Sequence, residues 1–570
     1  MTPTEKRLLL FSILLLTPFI ILNCTRRGGT YGPAIDVDRY SRAAPAAPMA
    51  YTPPPTPKGM AAQGAQPRDD RDPVRGADQE NLGDALRDAP TDPWSGERYA
   101  APRDNPFVAV NTPGGDASTF SLDVDTASYS LVRRYLTNGR LPPAGAVRIE
   151  ELINTIPYTY PAPTANDEQP LRITPAVAVC PWAQQHRLVR IAVHGRELNQ
   201  RSRPPLNLVF LVDTSGSMSG ANRLPLVIRS LEKLSAVLDE RDRLAIVTYA
   251  GSSSVPLPAI AGDQHERITA ALRDLTASGS TNGAGGIISA YAEAAKNLAP
   301  GVQSRVVLCT DGDFNVGTTS QNDLRRLIEQ QRSTGIYLTI FGFGMGNNKD
   351  ETLEMLADRG NGSYGYINDE ADANRLVVGG AIGQLVTIAK DAKVQVFFNP
   401  AFVAGWRQIG YENRQLRRED FANDQIDAGE IGAGHTVTAL YEVVPVGVPV
   451  PALAGEANPF IPASRSDAPA AAQPGLLQQG LLEVRLRWKA PEQEVSRLHE
   501  QTLDGTVSAM DADFSTAAGI AAFGMMLRQS PYKGSADWSM AETLVRNGIT
   551  RDPQRQEALS LITAAHGLAR

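Results

Sequence analysis

Asp213, Ser215 and Ser217 alternate along the run DTSGSM. One carboxylate and two hydroxyls are oxygen donors that suit a hard cation such as Mg²⁺, or Mn²⁺ or Ca²⁺. Alternate positions in a tight turn let the three side chains converge on one point. With so few charged donors, a divalent ion there would stay electrophilic and keep positions open for water or an incoming carboxylate. Two more oxygen donors stand in comparable settings, Thr281 in GSTNGAGG and Asp311 in VVLCTDGD.

The neighbouring patterns say what positions them. Residues 206–212 are a continuous apolar run, the signature of a strand buried on both faces in a parallel sheet, and it ends in Asp213. A helical pattern follows over 223–239, with Leu224, Val227, Ile228, Leu231, Leu234 and Leu238 on one face. Asp213, Ser215 and Ser217 therefore fall in the loop at the carboxyl end of a central strand, where open α/β sheets place ligands. Thr281 precedes a helical pattern that starts near Gly285, and Asp311 ends a second apolar strand. Ser, Thr and Asp also cap helices. The strand–loop–helix setting at all three loops favours the metal reading over the capping one.

These residues resemble the metal-ion-dependent adhesion site of the von Willebrand factor A (VWA) fold. The resemblance implies that Ser215, Ser217 and Thr281 contact the metal directly or nearly so, and that Asp213 and Asp311 act through water. It also implies that a protein partner's Asp or Glu completes the coordination sphere. The blocks STFSLDVDTASYSLVRRYLTNGRLPP and VRIEELIN, and the stretch GYENRQLRREDFANDQIDAGEIGAGHTVTALYEVVP, resemble the regions flanking the VWA domain in a group of bacterial VWA lipoproteins. That resemblance runs from about Phe107 to the C-terminus and implies a cell-envelope protein.

The chain has 570 residues, long enough for several domains. Its 42% hydrophobic and 21% charged content is that of a globular protein. The net charge of −7, without a long basic run, points away from nucleic acid. Of the three cysteines, Cys180 and Cys309 are expected as buried free thiols, because no disulfide framework is indicated.

Residues 1–24 read as an export signal, with Lys6 and Arg7 before an apolar stretch of about 15 residues, short for a membrane span. The end, Ile21-Leu22-Asn23-Cys24, resembles a bacterial lipoprotein signal, with Cys24 as the lipidated residue; an uncleaved membrane anchor is the alternative. Thr25 after the cysteine resembles the pattern that sorts lipoproteins to the periplasmic face of the outer membrane. Residues 25–105, rich in Pro, Ala, Arg, Asp and Gly, have too few aliphatic side chains to offset ordering entropy and read as a disordered tether.

Residues 106–204 are expected to carry two short helices and two strands, with Asp125 or Thr126 as a helix cap. Residues 205–390 alternate strands and helices, which implies a doubly wound, mostly parallel sheet. Within them, Gly342, Gly344 and Gly346 do not match GxGxxG and read as a glycine-rich turn. Residues 391–490 return to strand patterns, and residues 491–570 read as helical. Strands on both sides of the α/β unit, neither set long, imply one β-sandwich with the VWA domain inserted in it. Asp424, Asp427 and Glu430 form an acidic loop, read as solvated, with a second cation site as the sharper alternative.

A binding protein is expected rather than an enzyme. A hydrolase would need a base beside its nucleophile, and all six histidines lie outside the three site loops. The rival expectation is a structural scaffold in which the metal site is vestigial.

Overall fold

The computed structural model describes residues 92–94, 99, 103–122, 125–164, 166–312, 321–344, 350–379, 385–451, 480–549 and 551–570. Residues 8–22 and Cys24 lie outside them. Among the described residues no helix is long and apolar enough to cross a membrane.

The α/β domain is built on a six-stranded sheet. Its order is Tyr364–Ile367, Ile336–Phe343, Gln303–Thr310, Leu206–Asp213, Arg243–Tyr249 and Ser253–Ala261. Every pairing is parallel except the last, which is antiparallel. Pro256 lies in that edge strand, where its missing N–H costs no ladder bond. The strand Leu206–Asp213 is buried throughout. Leu206, Leu208, Phe210 and Val212 pack on one face with helices Leu224–Ser235 and His265–Arg273. Val209 and Leu211 pack on the other face with helix Gly283–Ala295 and with Leu324, Ile328, Leu353 and Leu356. This alternation under two helical layers is why the strand reads as an unbroken apolar run.

Two antiparallel sheets form the sandwich. One has the order Val108–Ala109, Val403–Ile409, Thr436–Pro445, Arg187–Gly195 and Leu171–Val179. The other has the order Gly429–Gly432, Thr387–Phe398, Leu482–Lys489 and Arg497–Leu503, with Ala117–Ser121 also paired to Thr387–Phe398. Arg187–Gly195 and Thr436–Pro445 are therefore neighbours although the whole α/β domain lies between them in sequence. Val189, Ile191 and Val193 face Val394, Val396 and Phe398 in the shared core. Leu188 and Ala192, on the opposite face, pack against helices Ala512–Arg528, Trp538–Asn547 and Pro553–Leu568. The C-terminal helices thus cover one outer face of the sandwich.

Three local expectations are corrected. The helical spacing of residues 371–388 predicts one helix there, but it stops early: Glu370–Ala373 passes into a wide turn at Asn374–Gly379, and a strand starts at Thr387. There Thr387 and Ala389 pair with Gly432 and Ile431, and tertiary pairing overrides helical spacing. The helix Ala127–Thr137 has no side-chain cap from Thr126, and Asp125 instead accepts the Tyr364 amide at 2.9 Å. Finally, the end of the segment read as tether makes contacts. Tyr135 Oη donates to Asp92 at 3.0 Å, the Trp94 ring lies 4.8 Å from the Tyr135 ring, and Asn105 donates to the Gly410 carbonyl at 2.8 Å. Arg497–Leu503, a strand with mostly exposed residues, carries no alternating pattern that would announce it. Cys180 and Cys309 are buried and free, as expected.

Candidate metal centre

Asp213 is the last residue of its strand and is wholly buried. Its strand runs parallel to Gln303–Thr310 with Val212 opposite Cys309, so the chain register alone brings Asp213 and Asp311 to the same edge of the sheet. On the other side Asp213 is opposite Tyr249.

Beyond Asp213 the chain folds back on its own side chain. The Ser215 amide donates to Asp213 Oδ1 at 2.9 Å, and Thr310 Oγ1 donates to Oδ2 at 3.2 Å. Ser215 Oγ and Ser217 Oγ are 2.9 Å apart, so both hydroxyls converge on one point. Met218, fully buried, pins the end of the turn in the core. The turn is a short 3₁₀ segment, Gly216–Ser219, and Ser215 makes no side-chain cap on it. The hydroxyls are not consumed by capping.

The second loop is bonded to the first. The Gly216 amide donates to the Gly279 carbonyl at 3.0 Å and the Ser278 amide donates to the Thr214 carbonyl at 2.7 Å. Gly279 has φ +81°, a conformation that suits glycine. Asn282, not Thr281, caps helix Gly283–Ala295, through its Oδ1 and the Gly285 amide at 3.2 Å. Thr281, half-buried, is therefore carried one residue before the cap, on the loop that lies against Ser215.

Electrostatics agree with a cation site. Burial raises the Asp213 carboxyl above its ordinary range, the two bonds from Ser215 pull it down, and the Asp311 charge pushes it up again. Burial and the Asp213 charge hold the Tyr249 phenol well above its usual value. Asp311 is buried too, and its Oδ2 lies 3.1 Å from Nη1 of Arg223, which also donates to the Ser217 carbonyl. Two adjacent buried carboxylates, two convergent hydroxyls and a guanidinium already drawn to them make a donor set that fits a hard divalent ion.

Arg223 is the site residue that the motif does not mark. Its signal was available: a cation immediately before a helix sits at the wrong end of the helix dipole, so something else must hold it.

A second acidic group lies on the sandwich. Carboxylate oxygens of Asp391, Asp427 and Glu430 lie within 4.8 Å of one another. Asp424 is not among them; it takes Arg487 at 3.2 Å. Lys489 Nζ is 2.7 Å from Asp391, and Arg332 pairs with Asp427, so protein cations already neutralise much of this group. Two histidines on the sandwich are engaged elsewhere. His186 Nδ1 is 2.6 Å from Glu442, which also accepts Trp182 Nε1 at 2.9 Å and Arg407 Nε at 3.1 Å. His194 Nδ1 is 2.7 Å from the Tyr160 carbonyl.

Comparison with known proteins agrees with this architecture. Residues 207–377 match the profile described as von Willebrand factor type A domain, residues 93–190 one described as von Willebrand factor, and residues 383–568 the C-terminal profile of YfbK. The chain is 39% identical over 478 residues to "Uncharacterized protein YfbK" of Escherichia coli (strain K12), covering 83% of this chain and 81% of that one. It is 31% identical over 188 residues to protein sll0103 of Synechocystis, covering 33% of this chain and 43% of that one. Among solved structures, a von Willebrand factor type A protein from Catenulispora acidiphila aligns with 70% of this chain and 90% of its own, at 14% identity and a TM-score of 0.39. VWA domains commonly bind a divalent metal and serve protein–protein interaction or adhesion. The inserted α/β domain, the flank before it and the C-terminal region after it are thus each matched, and the chain belongs to the YfbK family of VWA-domain proteins.

Proposed function

We propose that this protein is an envelope-anchored interaction module whose VWA domain grips a partner through a divalent cation, Mg²⁺ foremost. The supporting observation is the convergence of Asp213, Ser215, Ser217 and Asp311 at the carboxyl edge of the sheet, with the Thr281 loop bonded beside them. Ser215, Ser217 and Thr281 would supply neutral oxygens, and Asp213 and Asp311 would orient waters and hydroxyls. When bound, the ion supplies a concentrated positive charge with open positions for a partner's Asp or Glu. One such contact can anchor an otherwise modest interface. The protein is not an enzyme in this reading: the site has hydroxyls but no neighbouring histidine base. Lipidation at Cys24 would tether the folded part to the periplasmic face of the outer membrane.

The test is a pull-down from detergent-solubilised envelope extract with the tagged full chain, in Mg²⁺, in EDTA and as Asp213→Ala. A partner retained only with metal and intact Asp213 supports the reading. A partner retained in all three conditions overturns it and leaves the sandwich and C-terminal helices as a scaffold.

A further inference from the structure

We propose that Arg223 is a built-in counter-cation of the metal centre, which occupies Asp311 until a divalent ion displaces it and thereby sets the metal concentration at which the site loads. The inference rests on the metal reading above and adds its regulation.

Asp213 and Asp311 are both buried at the ends of paired strands, each within reach of the other's charge, and a pair of buried carboxylates without a cation is strongly unfavourable. Arg223 supplies the cation. Its Nη1 lies 3.1 Å from Asp311 Oδ2 and also donates to the Ser217 carbonyl, so the guanidinium spans the gap between Asp311 and the serine turn. That gap is where an ion held by the serine hydroxyls, with Asp311 reaching it through water, would sit. A divalent ion and a guanidinium cannot share it without like-charge repulsion at contact distance.

The local chain does not explain why Arg223 is there. It directly precedes helix Leu224–Ser235, where the dipole disfavours a cation, and its side chain makes no cap bond. A seat is shaped for it instead. Gly344, at φ +83°, directly follows strand Ile336–Phe343, and a Cβ at that position would come within 2.6 Å of Arg223 Nε and 2.7 Å of Cγ. The Gly344 carbonyl accepts from the buried Tyr366 hydroxyl, which fixes the floor of the seat. The Arg223 side chain keeps 20% of its surface exposed, so it stands at the rim and can swing outward while the carboxylates stay buried. Loss of Arg223 from Asp311 and gain of the metal are then one exchange, and each state keeps the carboxylates neutralised.

Coupling between two sites is typically worth about 5- to 150-fold in affinity. The experiment is Mg²⁺ titration calorimetry on the full chain in detergent, with Mn²⁺ binding by electron paramagnetic resonance as a second probe. Thermal unfolding is followed in EDTA and in Mg²⁺. Arg223→Gln should bind Mg²⁺ at least about fivefold more tightly than wild type. It should also unfold at a lower temperature in EDTA and recover in Mg²⁺. Arg223→Lys should fall between the two. Gly344→Ala, which crowds Arg223 from its seat, should also tighten Mg²⁺ binding and serves if Arg223→Gln folds poorly. Asp213→Ala should abolish binding in every background. Equal affinity of wild type, Arg223→Gln and Gly344→Ala for Mg²⁺ would overturn the counter-cation role while leaving the metal site standing. No binding by wild type or either variant would overturn the metal reading, and this proposal with it.

Discussion

Arg414 and Asp125, 289 residues apart in sequence, form an ion pair. Arg414 also reaches Glu354 at 2.9 Å and Asp358 at 2.6 Å, on helix Asp350–Arg359 of the VWA domain. Asp125 in turn holds the amide of Tyr364, the first residue of the sheet's edge strand. One guanidinium thus joins the N-terminal flank, the VWA domain and the segment that follows sandwich strand Val403–Ile409.

Arg414→Met should therefore destabilise more than a surface substitution would. It takes this cation from Asp125 and Asp358 while Glu354 keeps Arg148 at 3.0 Å, at a cost of about 3 kcal/mol. Urea unfolding should show the loss. A change below about 0.5 kcal/mol, the surface norm, would mean that the three segments are held by packing alone.

Thr281→Val removes a hydroxyl and keeps the volume. Because Asn282 caps the following helix, stability should hardly move, while Mg²⁺ affinity should fall at least about tenfold, as it does when groups that support a metal are lost. Thr281→Ser should retain most of the affinity. Unchanged calorimetric binding by the valine variant would remove Thr281 from the donor set.

Gly286 sets how closely helix Gly283–Ala295 approaches the sheet. A Cβ there would lie 2.7 Å from the Tyr249 ring, and Tyr249 is the register partner of Asp213. Gly286→Ala should cost about 1–3 kcal/mol through overpacking and weaken Mg²⁺ binding along with it. Thermal unfolding and titration on the same sample would separate the two effects.

His435 predicts an acid-side loss of stability. Burial, and then the Arg305 charge, lower its pKa to about 4 from an ordinary value of 6.5. The unfolded chain therefore binds a proton more readily than the folded one. The contribution is present above pH 6.5 and is lost as pH falls toward 4. His435 is mostly, not wholly, buried, so the effect should be on the order of 1–2 kcal/mol. His435→Gln should flatten the stability–pH curve in that window, as measured by urea midpoints. An unchanged slope would assign the acid sensitivity to the carboxylates.

Much of the site was legible because its geometry is local. A buried strand, a tight turn and alternating oxygen donors lie within one short stretch, so Asp213, Ser215 and Ser217 could be placed together before any fold was known. The apolar runs before Asp213 and Asp311 each carried a residue to a strand end, and parallel register then made the two neighbours. The sandwich was legible more indirectly, from strands on both sides of the α/β unit that were each too few to bury a face.

Other features depended on contacts between distant residues, which leave no periodic trace. Asp125 looked like a helix cap until Tyr364 and Arg414 competed for its carboxylate. Thr387 fits the end of a helical pattern by spacing, but Gly432 offers it a strand partner. Arg223 looked like an ordinary residue at the head of an amphipathic helix. The sequence by itself determined which oxygens could meet a metal, because hydrophobic periodicity and turn chemistry act over a few residues. Only the tertiary structure decided which cation those oxygens face, because electrostatic pairing acts through space and is blind to separation along the chain.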